Sequence, residues 1–357
     1  MPRSLLRKSL LAVAAASGSY GTVCYLVPEK FDSQLLYVYR KLPLKVVSYS
    51  VGRMMSVDIP PRWRTPIVGS FSRLIAADES ELKECDLEKY STLNQFFSRE
   101  LKPGARIFQK SSHDSQVWCP SDGEIIQFRP VGSSMGYTDG LGATKTEDFM
   151  TVKDCSFSLS EFLGPPLTVK ENSTSVSSIQ NRLCQNDRNC LYACAIYLSP
   201  SDCHRFYSPV DWKVNFVRHF SGSLLSVRPS ILKFFSRTLS GGKSDDNISA
   251  VLSIQERCVM VGEWKHGFFA FTAVGASNVG SIDLNHFPQI RTNIRPKNDK
   301  LYEDHMPKND SVDLKLNMGD EVGKFNLGST IVLVFEAPRG LKLREVSQCK
   351  IGQHMIV

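Results

Sequence analysis

The first 28 residues contain no acidic side chain. Three basic residues, Arg3, Arg7 and Lys8, are followed by an uncharged and largely apolar stretch over residues 9–27. A basic, acid-free start before an apolar run predicts a mitochondrial presequence that merges into a membrane anchor over residues 1–28. Ser, Gly and Thr dilute the run, so a span is only marginally favoured, and a secretory signal peptide is the alternative interpretation.

None of the ten cysteines belongs to a C-x-x-C pair. Cys184, Cys190 and Cys194 cluster without partners at zinc-ligand spacing, so we predict no structural metal. The sequence also lacks a basic patch interleaved with aromatic residues. Its net charge of +7 is modest for a chain of 357 residues. We therefore predict no nucleic-acid partner.

Residues 29–105 alternate apolar clusters with isolated basic side chains. Val46, Val47 and Val51, for example, accompany Lys45 and Arg53. This pattern predicts short amphipathic helices with a basic rim. Such helices pack on the core of their own protein or lie on a membrane surface, and periodicity alone does not separate the two. The charge-poor anchor predicted immediately upstream favours the second alternative, in which residues 29–105 form a membrane-proximal region.

Beyond residue 105 the pattern changes to strand-like apolar runs. The predicted strands cover residues 191–198, 212–220, 258–264, 268–274 and 329–335. One helix is predicted over residues 229–239, with Pro229 near its start. Thr92 and Gln95 have capping-box spacing and predict another helix start. The fold class is therefore α+β: an N-terminal anchor and amphipathic helices, followed by a mostly antiparallel β domain over residues 106–357.

A Leu-Gly-Ser-Thr sequence ending at Thr330 runs directly into the last long apolar strand. Taken alone, Gly-Ser before a strand is an ordinary turn. In this setting, however, it resembles the self-processing motif of the phosphatidylserine decarboxylase family. Further blocks resemble that family in order and spacing; they are residues 96–103, 118–123, 198–206, 222–227, 264–269 and 275–281. The resemblance covers nearly everything after about residue 42.

The resemblance implies that the chain is a proenzyme cut between Gly328 and Ser329. The Ser329 hydroxyl attacks the Gly328 carbonyl and forms an ester, and β-elimination and hydrolysis then leave a pyruvoyl group. The small chain, residues 329–357, carries this covalent cofactor, and residues 106–357 form the catalytic domain. A Schiff base with the amine of phosphatidylserine then leads to phosphatidylethanolamine, without any metal or diffusible cofactor.

The resemblance also assigns roles to individual residues. Ser329 is the nucleophile and the cofactor precursor, Asp122 is the acid that orients a histidine, and His204 is the first histidine of the Tyr-His-x-x-His block, associated with decarboxylation. Without the resemblance, Asp122 before a glycine is an ordinary turn residue and His204 an ordinary buried histidine.

One position departs from the family pattern. Tyr207 stands where the second histidine of the block, the base that activates the serine, is expected. A phenol with a pKa near 10 is a poor base at neutral pH. Three outcomes stay open: slow cleavage, substitution by another histidine (His266 first, His219 second), or an uncut chain. The last outcome defines the alternative function, a pseudoenzyme that binds lipid or a protein partner.

Location and assembly are likewise implied by the resemblance. The implied location is the mitochondrial inner membrane, with the catalytic part facing the intermembrane space. The implied assembly is a homodimer in which the opening of the active site lies against the membrane.

Overall fold

The structure is a computed structural model. It describes residues 44–108, 117–131, 137–138, 144–145, 149–152, 155–165, 179–222, 255–275, 281–294, 301–307, 314–326, 328–342 and 348–355. The predicted anchor over residues 1–28 and the predicted helix over residues 229–239 lie outside these ranges. Within them, no helix has both the length and the apolar character needed to cross a membrane.

A small helical unit precedes the sheet. It comprises α1 (Leu44–Met55), α2 (Pro61–Ile75), two 3₁₀ turns (Glu79–Glu81 and Leu87–Lys89) and α3 (Leu93–Phe97). Its own core includes Val68, Phe96 and Phe97, all fully buried. The predicted helix start is confirmed: the Thr92 hydroxyl accepts a hydrogen bond from the Gln95 N–H at 3.0 Å. Amphipathic helices in this region are therefore confirmed.

The described remainder is dominated by strands. They are β1 (Gly123–Pro130), β2 (Tyr137–Thr138), β3 (Thr144–Lys145), β4 (Phe149–Val152), β5 (Cys155–Ser158), β6 (Asn189–Leu198), β7 (Arg205–Tyr207), β8 (Trp212–Phe220), β9 (Arg257–Trp264), β10 (Gly267–Gly275), β11 (Ser281–Leu284), β12 (Tyr302–His305), β13 (Leu314–Leu316), β14 (Glu321–Asn326), β15 (Ser329–Pro338) and β16 (Gln348–Cys349). Two short helices, α4 (Leu159–Leu163) and α5 (Ile179–Leu183), lie between β5 and β6. All five predicted strands are confirmed.

Strand β15 lies inside a nine-stranded sheet with the order β12-β8-β9-β10-β15-β6-β1-β16, in which β13 also pairs with β8. It pairs with β10 over seven residues and with β6 over ten. Ile331 and Leu333 point into one apolar cluster, whereas Val332 and Val334 point into another. Burial on both faces explains why this strand is a continuous apolar run instead of an alternating one.

Each face of the large sheet is covered by a different layer. The three-stranded sheet β11-β14-β7 packs on one face, where Phe206 stacks on Phe271 with ring centroids 5.6 Å apart. Helices α4 and α5 cover the other face through Leu163 and Leu183. Every strand pairing described is antiparallel. The α+β prediction is confirmed.

Candidate active site

The Gly-Ser step lies where the small layer passes into the large sheet. Gly328 has φ 57°, in the left-handed region, which costs an L-residue about 1–2 kcal/mol and which glycine adopts freely. Ser329 is the first residue of β15, opposite Gly275 on β10 and Leu198 on β6. The sheet therefore holds Ser329 rigidly from both sides, directly after a bend in the chain.

The Ser329 side chain is fully buried, and its hydroxyl has no hydrogen-bond partner. Buried hydroxyls are nearly always paired, because an unpaired one loses its interactions with water without replacement. The Ser329 hydroxyl is an exception, as are those of Ser121, Thr272 and Thr330, and it lies within one peptide unit of the Gly328 carbonyl. An unpaired hydroxyl next to the carbonyl of a left-handed glycine is available for intramolecular attack.

His204 is fully buried just before β7. Its ring centroid lies 4.1 Å from that of Phe97, and its Nδ1 lies 3.0 Å from the Asp202 carbonyl oxygen. Burial in this apolar contact lowers the pKa of His204 to about 3, so the imidazole is neutral at physiological pH. Its Nε2 atom is buried without a partner.

Two backbone contacts bring His204 to the same end of the fold as Ser329. Ser329 pairs with Leu198, and the Phe325 N–H donates to the His204 carbonyl at 2.9 Å. The structure therefore places the predicted nucleophile and the predicted histidine at the same end of the fold.

Asp122 has a different partner from the histidine that the resemblance implies. The Arg106 guanidinium donates to both carboxylate oxygens, from Nε at 3.0 Å and from Nη2 at 2.6 Å. Arg106 also binds Glu81 in the helical unit, and the Ile351 N–H donates to Asp122 Oδ1 at 2.9 Å. No described histidine hydrogen-bonds to Asp122 in the structure. Asp122 joins the helical unit, the sheet and the C-terminal segment.

The charge state of Asp122 follows from these contacts. Burial opposes ionisation, but the hydrogen bonds and charge of Arg106, together with the Ile351 N–H and the Lys350 ammonium, outweigh it. The pKa of the Asp122 carboxyl is therefore held below its ordinary value of 3.8. Sequence reasoning missed Arg106, because only the tertiary structure shows which acid it pairs with.

Tyr207 ends strand β7, and its N–H donates to the Pro120 carbonyl at 2.8 Å. Position 207 thus lies beside the segment that carries Asp122. Burial raises the pKa of the Tyr207 phenol above its ordinary value, so the phenol is neutral and is not a base at physiological pH.

The two histidines predicted to substitute for that base lie elsewhere. His266 occupies the β9–β10 turn, just before β10 begins at Gly267. Ser329 pairs with Gly275 at the other end of β10. The eight residue steps between Gly267 and Gly275 span roughly 27 Å. The prediction that His266 activates Ser329 is therefore wrong for this structure. His219 lies on β8, and its Nε2 is 3.1 Å from Glu256 Oε1. In the sheet, β8 is three strands away from β15, a distance of roughly 14 Å. Neither side chain contacts Ser329.

Among the residues described, no group of three or more His, Cys, Asp or Glu side chains is arranged to hold a metal ion. The reactive groups of the site all belong to the chain itself: a buried serine hydroxyl after a left-handed glycine and a neutral histidine. These features fit a site that makes its cofactor from its own backbone.

Comparison with known proteins identifies the family to which the chain belongs. The sequence profile of the phosphatidylserine decarboxylase family matches residues 93–357, and the chain therefore belongs to that family of lyases. It is 34% identical to the mitochondrial phosphatidylserine decarboxylase proenzyme of Rattus norvegicus over 337 residues, which covers 92% of this chain and 75% of the relative. It is 32% identical to mitochondrial proenzyme 1 of Schizosaccharomyces pombe, over 85% of this chain and 77% of the relative.

We predict that Asp122→Asn destabilises the fold by roughly 1.5–3 kcal/mol, the usual range for a hydrogen bond to a charged group. Because the folded-state pKa of Asp122 is lowered, its contribution to stability is present above the ordinary pKa of 3.8 and is lost as the pH falls through the lower folded-state value. Urea unfolding of the uncleavable Ser329→Ala chain between pH 3 and pH 7 measures this.

Glu100→Gln is the control, because the Glu100 side chain is 46% exposed; it pairs with Lys83 and, at 3.2 Å, with Arg205. It should change the free energy of unfolding by less than about 1 kcal/mol. An equal loss in both variants would show that Asp122 does not join the three segments.

Proposed function

We propose that the chain converts phosphatidylserine to phosphatidylethanolamine with a pyruvoyl group that it makes from its own Ser329. The observation that carries the proposal is the buried, unpaired Ser329 hydroxyl directly after Gly328 in left-handed geometry. Family membership supports the same reaction, since the relatives are named as phosphatidylserine decarboxylase proenzymes.

Self-processing uses groups that the site contains. The Ser329 oxygen attacks the Gly328 carbonyl carbon, the peptide C–N bond breaks, and an ester forms as the Ser329 nitrogen becomes an amine. Loss of the Ser329 Cα proton then expels the Gly328 carboxylate and leaves a dehydroalanine. Uptake of water and loss of ammonia complete the pyruvoyl group. His204 is the proposed proton carrier at this end of the fold, and Asp122 supports the site through Arg106.

The pyruvoyl carbonyl supplies an electron sink for the loss of carbon dioxide from the substrate. The chain itself supplies the position and the apolar surroundings. Residue 329 stays paired in the middle of the sheet, and its full burial excludes water from the reacting group. A neutral His204 at the same end of the fold can exchange a proton without carrying a buried charge.

The small chain, residues 329–357, stays in place after the cut in this proposal. Strand β15 keeps seven ladder pairs with β10 and ten with β6, and β16 pairs with β1. All of these partners belong to the large chain. Burial of β15 on both faces adds the hydrophobic contribution of its apolar side chains.

The helical unit is the proposed membrane-contacting surface. Helices α1 and α2 and the turn between them expose large apolar side chains: Tyr49, Met54, Val57, Trp63, Ile67 and Leu74. Arg53, Arg62 and Arg73 accompany them. Exposed apolar groups with a basic rim suit a surface that contains the anionic substrate lipid. Helix packing buries the other face, so the proposal assigns core packing to one face of the helices and membrane contact to the other.

The relatives are named mitochondrial, and we propose the same compartment for this chain. We further propose that the chain lies on the inner membrane with its catalytic part facing the intermembrane space, and that it forms a homodimer.

An uncut pseudoenzyme is the second candidate. It is favoured by Tyr207 in place of the usual base and by Asp122, whose carboxylate is bound to Arg106 instead of a histidine. Such a protein would keep the fold and bind lipid without decarboxylation.

We predict that the purified chain contains a fragment that begins at residue 329, weighs roughly 3 kDa, and is about 17 mass units lighter than its encoded peptide, since the pyruvoyl group forms with loss of ammonia. Ser329→Ala should give one uncut chain without decarboxylase activity. Intact mass under denaturing conditions and conversion of phosphatidylserine are the two measurements. Residual activity in Ser329→Ala would contradict the pyruvoyl mechanism. A wild-type chain that remains uncut after incubation with membranes would support the pseudoenzyme.

Tyr207→His should speed self-cleavage, because an imidazole with a pKa near 6.5 is a base at neutral pH and a phenol is not. The time course of fragment release from newly made chain measures this. Tyr207→Phe is the matched control and should cleave at the wild-type rate, since both side chains are neutral. Slower cleavage in both variants would give Tyr207 a role of its own.

Trp63 reports on membrane contact. It is 51% exposed, whereas the other three tryptophans, Trp118, Trp212 and Trp264, are buried. We predict that brominated lipids in vesicles quench part of the fluorescence of the membrane-bound chain, and that Trp63→Phe removes this quenched component. Equal quenching with and without Trp63 would mean that the helical unit faces away from the lipid.

A further inference from the structure

Arg99 follows α3 and is almost fully buried, with 3% of its surface exposed. Its Nη2 donates to the Ser201 carbonyl at 2.6 Å and to the Asp202 carbonyl at 3.3 Å. In the described part of the chain its hydrogen-bond partners are main-chain carbonyls, its guanidinium carbon lies 5.6 Å from the centroid of the Phe96 ring, no carboxylate forms an ion pair with it, and its Nε has no hydrogen-bond partner. A buried cation without a counter-charge is costly, so its position calls for an explanation.

The Asp202 carbonyl is shared between Arg99 and His204. It lies 3.0 Å from His204 Nδ1, and a carbonyl oxygen only accepts hydrogen bonds. His204 Nδ1 must therefore carry the proton, and in a neutral imidazole Nε2 then holds a lone pair. That Nε2 is the buried atom without a partner, at the end of the fold where the Ser329 hydroxyl also has none.

We propose that Arg99 is a positioning residue for His204: by holding the Asp202 carbonyl it fixes the Nδ1–H tautomer and keeps Nε2 ready to accept the Ser329 proton. The inference rests on the proposed function. It explains how the chain activates Ser329 although Tyr207 replaces the usual base. With the tautomer of His204 already set, the proton passes from Ser329 Oγ to Nε2 as the Oγ–C bond forms.

Arg99 also acts on His204 through its charge. After burial, which is the largest cause, two charged side chains from other segments influence the pKa of His204: Arg99 lowers it and Asp122 raises it. The Asp202 carboxylate bonds to the Ser199 N–H and hydroxyl. Loss of the Arg99 charge must therefore raise the pKa of His204, and this direction separates a positioning role from a merely structural one.

The helical unit contains a matched arginine. Arg64 likewise donates to two main-chain carbonyls, those of Ile59 and Glu88, but both belong to the helical unit itself. Arg99 instead reaches residues more than 100 positions away, in the turn that carries His204. Arg64→Gln thus removes a comparable set of hydrogen bonds without touching the site.

The first experiment reads the tautomer directly. The full Ser329→Ala chain is labelled with ¹⁵N-histidine, and long-range ¹⁵N–¹H correlation spectra are recorded, with the His204 signals assigned by their loss in His204→Gln. We expect the Nδ1–H pattern in the Ser329→Ala chain that keeps Arg99 and in the same chain with Arg64→Gln. In the chain with Arg99→Gln we expect a shift toward the Nε2–H pattern. An unchanged pattern in a folded Arg99→Gln chain would overturn the proposal.

The second experiment follows cleavage of newly made chain from pH 4.5 to pH 8. We expect a flat rate for the wild type and for Arg64→Gln over this range, since His204 stays neutral. Arg99→Gln should cleave about tenfold more slowly at pH 7.5, and any loss of rate on acidification should begin at a higher pH than in the wild type. Arg99→Lys should keep the wild-type profile, because it keeps the charge. A wild-type rate and a wild-type profile in a folded Arg99→Gln chain would contradict the proposal.

The two readouts separate this inference from the proposed function. If the wild type never cleaves, the decarboxylase proposal fails, and the tautomer spectra still decide the role of Arg99. If the wild type cleaves and Arg99→Gln changes neither the spectra nor the pH profile, the function stands and the role of Arg99 is rejected.

Discussion

The position of β15 in the interior of the large sheet is the constraint on which the rest of the structure depends. Ladder bonds from β10 and β6 hold Ser329 on both sides, so the reacting residue has no freedom to move away from the Gly328 carbonyl. In the proposed self-cleavage, the same bonds would hold the small chain after a cut at that peptide. One strand would then have two roles: it places the serine next to the peptide to be cut, and it would keep the cleaved small chain in the fold. Its uninterrupted apolar sequence follows from burial on both faces.

The helical unit is joined to the site by two arginines, of which Arg99 is buried and Arg106 partly buried. Arg106 connects Glu81 to Asp122, and Arg99 holds the turn that carries His204. Both guanidiniums extend from the segment that follows α3 into the β domain. The unit with the exposed apolar surface is therefore rigidly linked to the reacting end of the sheet, and binding of a lipid surface by one would place the other at a fixed distance from that surface.

Prediction from the sequence was most accurate where the apolar pattern is continuous. The limits of β8 agreed in full, although a bulge between Val214 and Phe216 places Phe216 on the opposite face of the sheet from Trp212 and Val214, which the simple alternation did not predict. The Thr92 helix start also agreed, since capping depends on neighbours within one turn. The roles of His266 and Asp122 were harder, because they depend on contacts between residues far apart in the chain. Residue type shows that a group can act as base or acid, but not which group it meets.

The sequence by itself determined the fold class, the Gly328–Ser329 step and the family, because each is written in local patterns of residue type and order. Only the tertiary structure decided that Asp122 binds Arg106, that His266 lies at the far end of β10, and that His204 keeps an unpaired ring nitrogen. The physical reason is that tautomer, charge state and partner are set by burial and by hydrogen bonds across the fold. Such contacts join positions 16 to 229 residues apart, and no local pattern records them.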